Sequence, residues 1–234
     1  MCYTDFRDDS SRFLRSKGWN DMSDKLDYKK AYKDLYAPKT TPAEILVPPI
    51  TFIMVDGAGD PNAEGGAYQA AMELLYALSY TIKMSKMGGN APAGWFDYVV
   101  PPLEGLWWMA NGAAGVDYAR KSDLRWVSMI RQPEFVTPEV FAWACGEAHR
   151  KKGVDPSPAR LEALDEGLCV QCMHIGPFDD EPATVAKLEA FINENGLLND
   201  IGDTRRHHEI YLADPRKGDP AKMKTVLRIP VKRA

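Results

Sequence analysis

The chain has 234 residues and a formal net charge of −4, with 45% hydrophobic and 26% charged residues; this is the balance of an ordinary globular protein with one large domain or two small lobes. Acidic and basic residues are interspersed, which argues against a nucleic-acid or membrane partner. The sequence shows neither an apolar run of membrane-spanning length nor the apolar core of a signal peptide at its start, so we expect a cytoplasmic protein.

The N-terminal part carries little regular pattern. Residues 1–27 are charged and aperiodic, so we interpret them as an arm that precedes a domain over residues 28–234. Apolar residues at helical spacing predict a short helix over Tyr28–Tyr36, which the following prolines end. Pro48–Asp56 is predicted to be the first strand, and the glycine turn after it lacks the Lys-Ser/Thr of a phosphate-binding loop.

The clearest helix is predicted over Tyr68–Lys86. It has one apolar stripe at helical spacing, formed by Ala71, Leu74, Leu75, Leu78 and Ile82. Strands are predicted over Tyr98–Ala110 and Arg125–Gln132, and a second helix over Pro138–Lys151.

The pattern then starts again. Strand-forming residues fill Leu161–Ile175, a helix is predicted over Pro182–Asn195, and strands follow at Glu209–Leu212 and Thr225–Val231. Cys169 and Cys172 have the spacing of a metal or redox pair, but residues three apart on a strand point to opposite faces, so we predict buried thiols and no metal site.

The two parts of the chain have the pattern of one structural unit that occurs twice. Similar segments recur in the same order in residues 48–133 and 160–232, with the helix at 138–152 between them. Each half needs the other to cover its sheet, so we expect an α+β domain built from a duplicated β-α-β-β unit with pseudo-twofold symmetry. The repeat predicts that Glu104 and Glu209 occupy equivalent strand positions.

The stretch Tyr98–Met109 is apolar and aromatic, yet it contains one acid, Glu104. A carboxylate buried in such a run needs a partner or water, because an isolated buried charge is costly. Strand alternation places Glu104 and Trp108 on one face and Trp107 on the other, and it places Glu209 on the same face as Tyr211.

Several of these stretches resemble the GyrI-like proteins of the SOUL and GyrI-like superfamily, most closely the stand-alone members that hydrolyse cyclopropanoid compounds. The matching segments span roughly residues 28–232 and are Tyr32–Tyr36, Phe52–Asn62, Pro102–Trp108, Met129–Phe135 and His208–Arg216. The resemblance implies antiparallel sheets around a central groove for a flat, lipophilic and often cationic molecule. It also implies that Glu209 matches the ligand-binding acid of the family. In the hydrolytic members, an aromatic cage surrounds the cyclopropane ring that is opened.

The chemistry of such a groove follows from its residue types. Aromatic faces hold planar rings and cations, and a carboxylate among them compensates a cationic charge or acts as a general base. We therefore take Glu209 and Glu104 as the candidate catalytic acids. The candidate ligand-binding residues are Tyr98, Trp107, Trp108, Trp126, Phe141, Trp143, His174 and Tyr211.

Two classes of function remain open from the sequence. The chain either sequesters or senses an aromatic or cationic small molecule, or it is a hydrolase that opens a strained ring of such a molecule with water. No cofactor is expected, and a haem-binding role would depend on His174 as the iron ligand. The adjacent His207 and His208 are a weak metal candidate, since neighbours on a strand diverge. The sequence is compatible with a monomer or a homodimer.

Overall fold

The computed structural model describes residues 25–112, 116–117, 119–213 and 219–234. The helices are α1 (Tyr28–Ala31), α2 (Lys33–Tyr36), α3 (Ala67–Lys83), α4 (Pro138–Lys152) and α5 (Glu181–Glu194). The strands are β1 (Ala43–Val47), β2 (Ile50–Ala58), β3 (Leu103–Met109), β4 (Leu124–Arg131), β5 (Ala159–Leu164), β6 (Gly167–Ile175), β7 (Leu197–Asn199), β8 (His207–Tyr211) and β9 (Lys224–Arg233). Short 3₁₀ turns lie at Met84–Gly88, Lys121–Asp123, Phe178–Asp180 and Pro220–Lys222.

The strands form one open antiparallel sheet in the order β1-β6-β9-β8-β3-β4-β2-β5, and β7 pairs with β9 outside this path. This confirms the predicted α+β class. None of the helices in the described residues is long and apolar enough to cross a membrane.

The predicted duplication is visible in the strand order. The first unit is β2-α3-β3-β4, whose strands lie in the order β3-β4-β2, and the second is β6-α5-β8-β9, whose strands lie in the matching order β8-β9-β6. The units meet where β3 pairs with β8, at the centre of the sheet. A pseudo-twofold axis therefore passes between these two strands.

The predicted equivalence of Glu104 and Glu209 is wrong. Glu104 pairs with Ile210, whereas Glu209 pairs with Gly105. Directly paired residues point to the same face of a sheet, and successive residues alternate. The two glutamates therefore point to opposite faces, and a twofold axis normal to the sheet cannot exchange them.

Several element boundaries differ from the prediction. β3 begins at Leu103 rather than Tyr98, because Pro101 and Pro102 have no N–H for the ladder. The single helix predicted over Tyr28–Tyr36 is two short helices that meet at Tyr32. Within the predicted N-terminal arm, residues 1–24 lie outside the described residues, while the backbone of Leu26 is hydrogen-bonded to Asp97 and Val99.

The two faces of the sheet are covered differently. On one face, here called the helix face, α3 packs on β2 and β4, and α5 packs on β6 and β9. The predicted apolar stripe of α3 is buried there. On the opposite face, backbone carbonyls of α2 accept hydrogen bonds from Gln171 and Arg228. Cys169 and Cys172 also separate as predicted, into different hydrophobic clusters.

Candidate functional site

A cavity of about 710 Å³ lies on the helix face over β3 and β8, where the two units meet. Its walls come from α3, the segment before β3, the turn at Phe178–Asp180 and the segment before β9. The aromatic lining residues are Tyr68, Tyr76, Tyr80, Trp107, Phe178 and Tyr211. A concave, largely apolar space of this size with several aromatic rings is typical of a small-molecule site.

Glu209 supplies a buried carboxylate to this cavity. The residue is 5% exposed, and its Oε2 accepts a hydrogen bond from the Tyr211 hydroxyl at 2.8 Å. The Tyr211 oxygen in turn accepts a hydrogen bond from Trp107 Nε1, also at 2.8 Å. His207 Nε2 lies 3.4 Å from Glu209 Oε1. The carboxylate is thus held in one orientation by groups from both β3 and β8.

The rings around the carboxylate form one connected aromatic group. The Tyr68 ring lies 5.5 Å from Trp107 and meets Trp126 edge-on at 5.1 Å, measured between ring centroids. Tyr211, which is hydrogen-bonded to Trp107, meets Phe178 edge-on at 5.6 Å. Such faces attract planar rings and cations.

Gly105 allows the Trp107 indole to reach Tyr211. A Cβ at position 105 would lie 2.6 Å from Trp107 Nε1 and 3.2 Å from the Tyr211 hydroxyl oxygen. Glycine in a strand often marks such a close approach. The pairing of β3 continues through this residue without a bulge, so the predicted alternation of faces holds.

The environment of Tyr68 and Tyr211 favours their protonated forms. Burial, together with the charge of Glu209, raises the pKa of Tyr211 well above its usual value. Burial likewise raises the pKa of Tyr68. Tyr211 therefore remains a hydrogen-bond donor to the carboxylate at physiological pH.

The rim of the cavity is charged. Lys121 Nζ lies 2.9 Å from Asp179 Oδ1, and this ion pair joins a residue of the first unit to one of the second. Lys29 also lines the cavity. The rim pair is largely exposed on its acidic side, so it contributes little to stability.

Glu104 lies outside this cavity, in a buried ionic cluster on the opposite face. Its Oε1 accepts a hydrogen bond from Tyr36 at 3.3 Å, and its Oε2 lies 3.0 Å from His208 Nε2. His208 Nδ1 is 2.9 Å from Glu166, and Arg228 Nη1 is 2.7 Å from the same carboxylate. The cluster of Glu104, Glu166, His208 and Arg228 is here called the ionic cluster.

The groups of the ionic cluster stabilise one another's charges. Burial alone would lower the pKa of His208, but the charges and hydrogen bonds of Glu166 and Glu104 outweigh it and raise this pKa to about 9. Burial would raise the pKa of Glu166, but His208 and Arg228 hold it well below its usual value. With His208 protonated, two positive charges balance two carboxylates.

Three of the sequence-predicted site residues, Glu209, Trp107 and Tyr211, line the cavity together. Trp108 points to the opposite face, where its ring stacks on the Arg206 guanidinium at 4.5 Å. Trp126 lies behind Tyr68 and is 1% exposed. These positions follow from the alternation along β3 and from the packing of α3.

The other predicted residues lie away from the cavity lining. Tyr98 packs in a cluster of rings with Phe96 and Phe135, while Phe141 and Trp143 are on α4 and pack against the main core. These three residues do not line the cavity, because the elements that carry them face the core.

His174 is engaged at both ring nitrogens. Nε2 donates to the Pro177 carbonyl at 3.1 Å, since a carbonyl only accepts, and Nδ1 pairs with the Thr184 hydroxyl at 2.9 Å. This arrangement leaves no ring nitrogen for haem iron, and it is a structural role that joins β6 to α5. Among the described residues, no group of three or more His, Cys, Asp or Glu is placed to hold a metal ion.

Sequence reasoning missed the cavity residues of α3 and Glu166, the second acid of the ionic cluster. Tyr68, Met72, Tyr76 and Tyr80 recur every fourth residue beside the core stripe, which was the available signal. Glu166 lies in Asp165-Glu166-Gly167, a sequence typical of an exposed turn, so nothing local indicated that it is buried.

Comparison with known structures shows close relatives of this fold. An uncharacterized conserved protein from Listeria innocua has 52% sequence identity and a TM-score of 0.83, covering 89% of this chain and 100% of its own. Two structures described as hydrolases from Listeria innocua, one of them encoded by lin2189, each have 50% identity, with TM-scores of 0.81 and 0.82 and the same coverage. No curated protein matches the chain.

The sequence model of one family matches most of the chain. It describes a GyrI-like small molecule binding domain and covers residues 40–232, which include the cavity walls from α3, β3 and β8. Taken with the relatives above, this match assigns the family: the chain belongs to the GyrI-like small-molecule-binding proteins.

Proposed function

We propose that the cavity binds a planar, lipophilic or cationic xenobiotic and that Glu209 activates water to hydrolyse a strained cyclopropane ring of such a ligand. The observation that carries the proposal is the buried carboxylate of Glu209, fixed by Tyr211 and Trp107 within an aromatic cavity. The hydrolase description of two relatives at 50% identity supports it. Protection of the cell would follow from sequestration of the compound or from its hydrolysis.

The reaction adds one water molecule to an electrophilic cyclopropane that is conjugated with a carbonyl group. The water oxygen bonds to a ring carbon while the strained C–C bond breaks, and the electron pair of that bond moves into the conjugated system. Glu209 accepts a proton from the attacking water and releases it to solvent, and the carbonyl oxygen of the ligand takes up one proton from solvent, so that one water molecule is added in total. The aromatic walls hold the planar ring in position and exclude other nucleophiles.

The experiment compares the wild-type protein with Glu209→Gln, which keeps the shape of the side chain and removes its charge. Ligands are acridine orange as a planar cation, pyrene as a neutral planar ring, and a spirocyclopropane-cyclohexadienone as substrate. Tryptophan quenching measures binding, and mass spectrometry measures the gain of one water. We expect Glu209→Gln to bind acridine orange about tenfold more weakly and to lose turnover by about a hundredfold or more, with pyrene binding unchanged.

Glu104→Gln is the matched control on the opposite face. It should leave binding and turnover within about twofold in the folded protein, because Glu104 contacts the ionic cluster and not the cavity. Wild-type binding and turnover in Glu209→Gln would contradict the assignment of this acid. Quenching without any gain of water in the wild-type protein would leave sequestration as the function.

A further inference from the structure

His207 lies beside Glu209 but does not itself line the cavity. It begins β8, two residues before Glu209, and it pairs directly with Trp107 of β3. Because the residues of a strand alternate between its faces, all three side chains lie on the helix face of the sheet. His207 is 2% exposed, and the cavity lining includes Glu209 but not the imidazole. Any influence of His207 on a ligand therefore passes through Glu209.

The imidazole has one buried ring nitrogen close to this carboxylate. His207 Nε2 is 3.4 Å from Glu209 Oε1, and within the described residues it meets no partner in hydrogen-bonding geometry. A carboxylate oxygen only accepts hydrogen bonds, so this approach is favourable when Nε2 carries the proton and repulsive when it carries a lone pair. A buried donor left unpaired is costly, and catalytic hydrogen bonds are often long before the substrate binds. Oε1 is thus the acceptor that the structure places beside Nε2.

The charged form of Glu209 depends on such donors. The carboxylate is 5% exposed among aromatic rings, and burial favours the neutral acid. Glu181, a fully buried acid at the start of α5, adds to the negative field at Tyr211 and so opposes the charge further. Tyr211 supplies one donor, to Oε2. A second donor on Oε1 favours the carboxylate, which is the form that binds a cation or takes a proton from water.

We propose that His207 is a positioning residue, which donates its Nε2–H to Oε1 of Glu209, keeps this acid ionised and fixes its direction toward the ligand. This inference rests on the proposed function, since it concerns the same carboxylate. The adjacent His208 offers a comparison within the fold, because its Nε2 lies 3.0 Å from Glu104 Oε2 on the opposite face. Each face thus has one pair of histidine and glutamate, and the cavity lies beside the pair formed by His207.

The test replaces the imidazole by side chains that keep or lose a donor at the position of Nε2. His207→Gln places an amide nitrogen near that position, His207→Asn is too short to reach Oε1, and His207→Leu has no donor. We expect the Asn and Leu variants to lose about thirtyfold in kcat on the spirocyclopropane-cyclohexadienone, with KM within about threefold because this substrate is neutral. They should bind acridine orange about tenfold more weakly and pyrene as the wild type does. His207→Gln should recover at least about a third of the wild-type kcat.

His208→Gln is the matched control on the opposite face, and in the folded protein it should leave kcat and both dye affinities within about twofold. Losses in the Asn and Leu variants that Gln does not recover would overturn the inference, since they would indicate a packing role. Wild-type kcat and wild-type preference for acridine orange over pyrene in His207→Asn would also overturn it. The proposed function would then still stand if Glu209→Gln removes turnover. Wild-type behaviour of Glu209→Gln would overturn both proposals.

Discussion

Glu104 and Glu209 show how one position along a pair of strands decides the face of the sheet on which a carboxylate lies. They lie on paired strands, one position apart in the pairing, and both are almost fully buried. Glu104 lies beside a histidine in the ionic cluster, whereas Glu209 is held by a tyrosine within a cavity. The same side chain is thus part of a charge-balanced core on one face and lines the cavity on the other.

Gly105 is the residue whose substitution should separate the site from the fold. In Gly105→Ala the new Cβ would lie 2.6 Å from Trp107 Nε1, so the indole must move and its hydrogen bond to Tyr211 is lost. We expect a loss of about 1–3 kcal/mol in the free energy of unfolding and weaker binding of acridine orange by about tenfold. Urea unfolding and tryptophan quenching measure the two effects.

Gly57→Ala is the comparison for that variant, since its Cβ would meet the Trp126 ring at 2.0 Å, behind the cavity lining. Gly57→Ala should lower the free energy of unfolding at least as much as Gly105→Ala does. Its effect on the affinity of the folded protein for acridine orange should be smaller. Unchanged ligand binding in Gly105→Ala would show that the orientation of Trp107 does not matter for the ligand.

At the scale of elements, β3 and β8 each supply side chains to two different sites. Alternation sends Trp107, Glu209 and Tyr211 to the cavity, while it sends Glu104 and His208 to the ionic cluster. The alternation along each strand was predictable from the sequence, because it depends on backbone geometry alone. The relative register of β3 and β8 was not, because it depends on pairing between residues about a hundred positions apart.

Trp107→Ala and Trp108→Ala test this division on adjacent residues of one strand. Trp107→Ala should weaken planar-ligand binding by a few kcal/mol, the scale lost when a large aromatic side chain is truncated at a binding hot spot. Trp108→Ala removes a ring that stacks on Arg206 on the opposite face, so it should lower stability and leave affinity within about twofold. Isothermal titration with acridine orange and thermal unfolding measure the pair. Equal losses of affinity in both variants would contradict the assignment of faces.

At the scale of the whole molecule, the junction of the two units, where β3 pairs with β8, has the cavity on one face of the sheet and the ionic cluster on the other. The cluster draws Glu104 from the first unit and His208 and Arg228 from the second, and Arg228 also donates to the Leu35 carbonyl of α2. The duplication was predictable, since each unit has its own pattern of strands and helix. The cluster was not, because Glu166 and Arg228 are 62 positions apart in sequence and Glu166 lies in what reads as an exposed turn.

The ionic cluster should make the stability of the protein depend on pH above neutrality. The pKa of His208 is raised in the folded protein to about 9, above the usual value of 6.5, so its contribution to stability is fully present below pH 6.5. The contribution is lost as the pH rises through 9, because neutral His208 leaves two carboxylates, Glu104 and Glu166, with Arg228 as the one cation of the cluster. A shift of this size corresponds to roughly 3 kcal/mol.

Urea unfolding of the wild-type protein at pH 6.5 and pH 9 measures this loss, and His208→Gln is the reference, since other titrating groups are common to both proteins. We expect the wild type to lose roughly 3 kcal/mol more than the variant between the two pH values. Glu104→Gln provides a second measurement: with one carboxylate fewer, the pKa of His208 should fall and the decline should begin at lower pH. If the free energy of unfolding changes no more in the wild type than in His208→Gln between these pH values, His208 is neutral in the folded protein. Other groups would then have to balance the carboxylates of the ionic cluster.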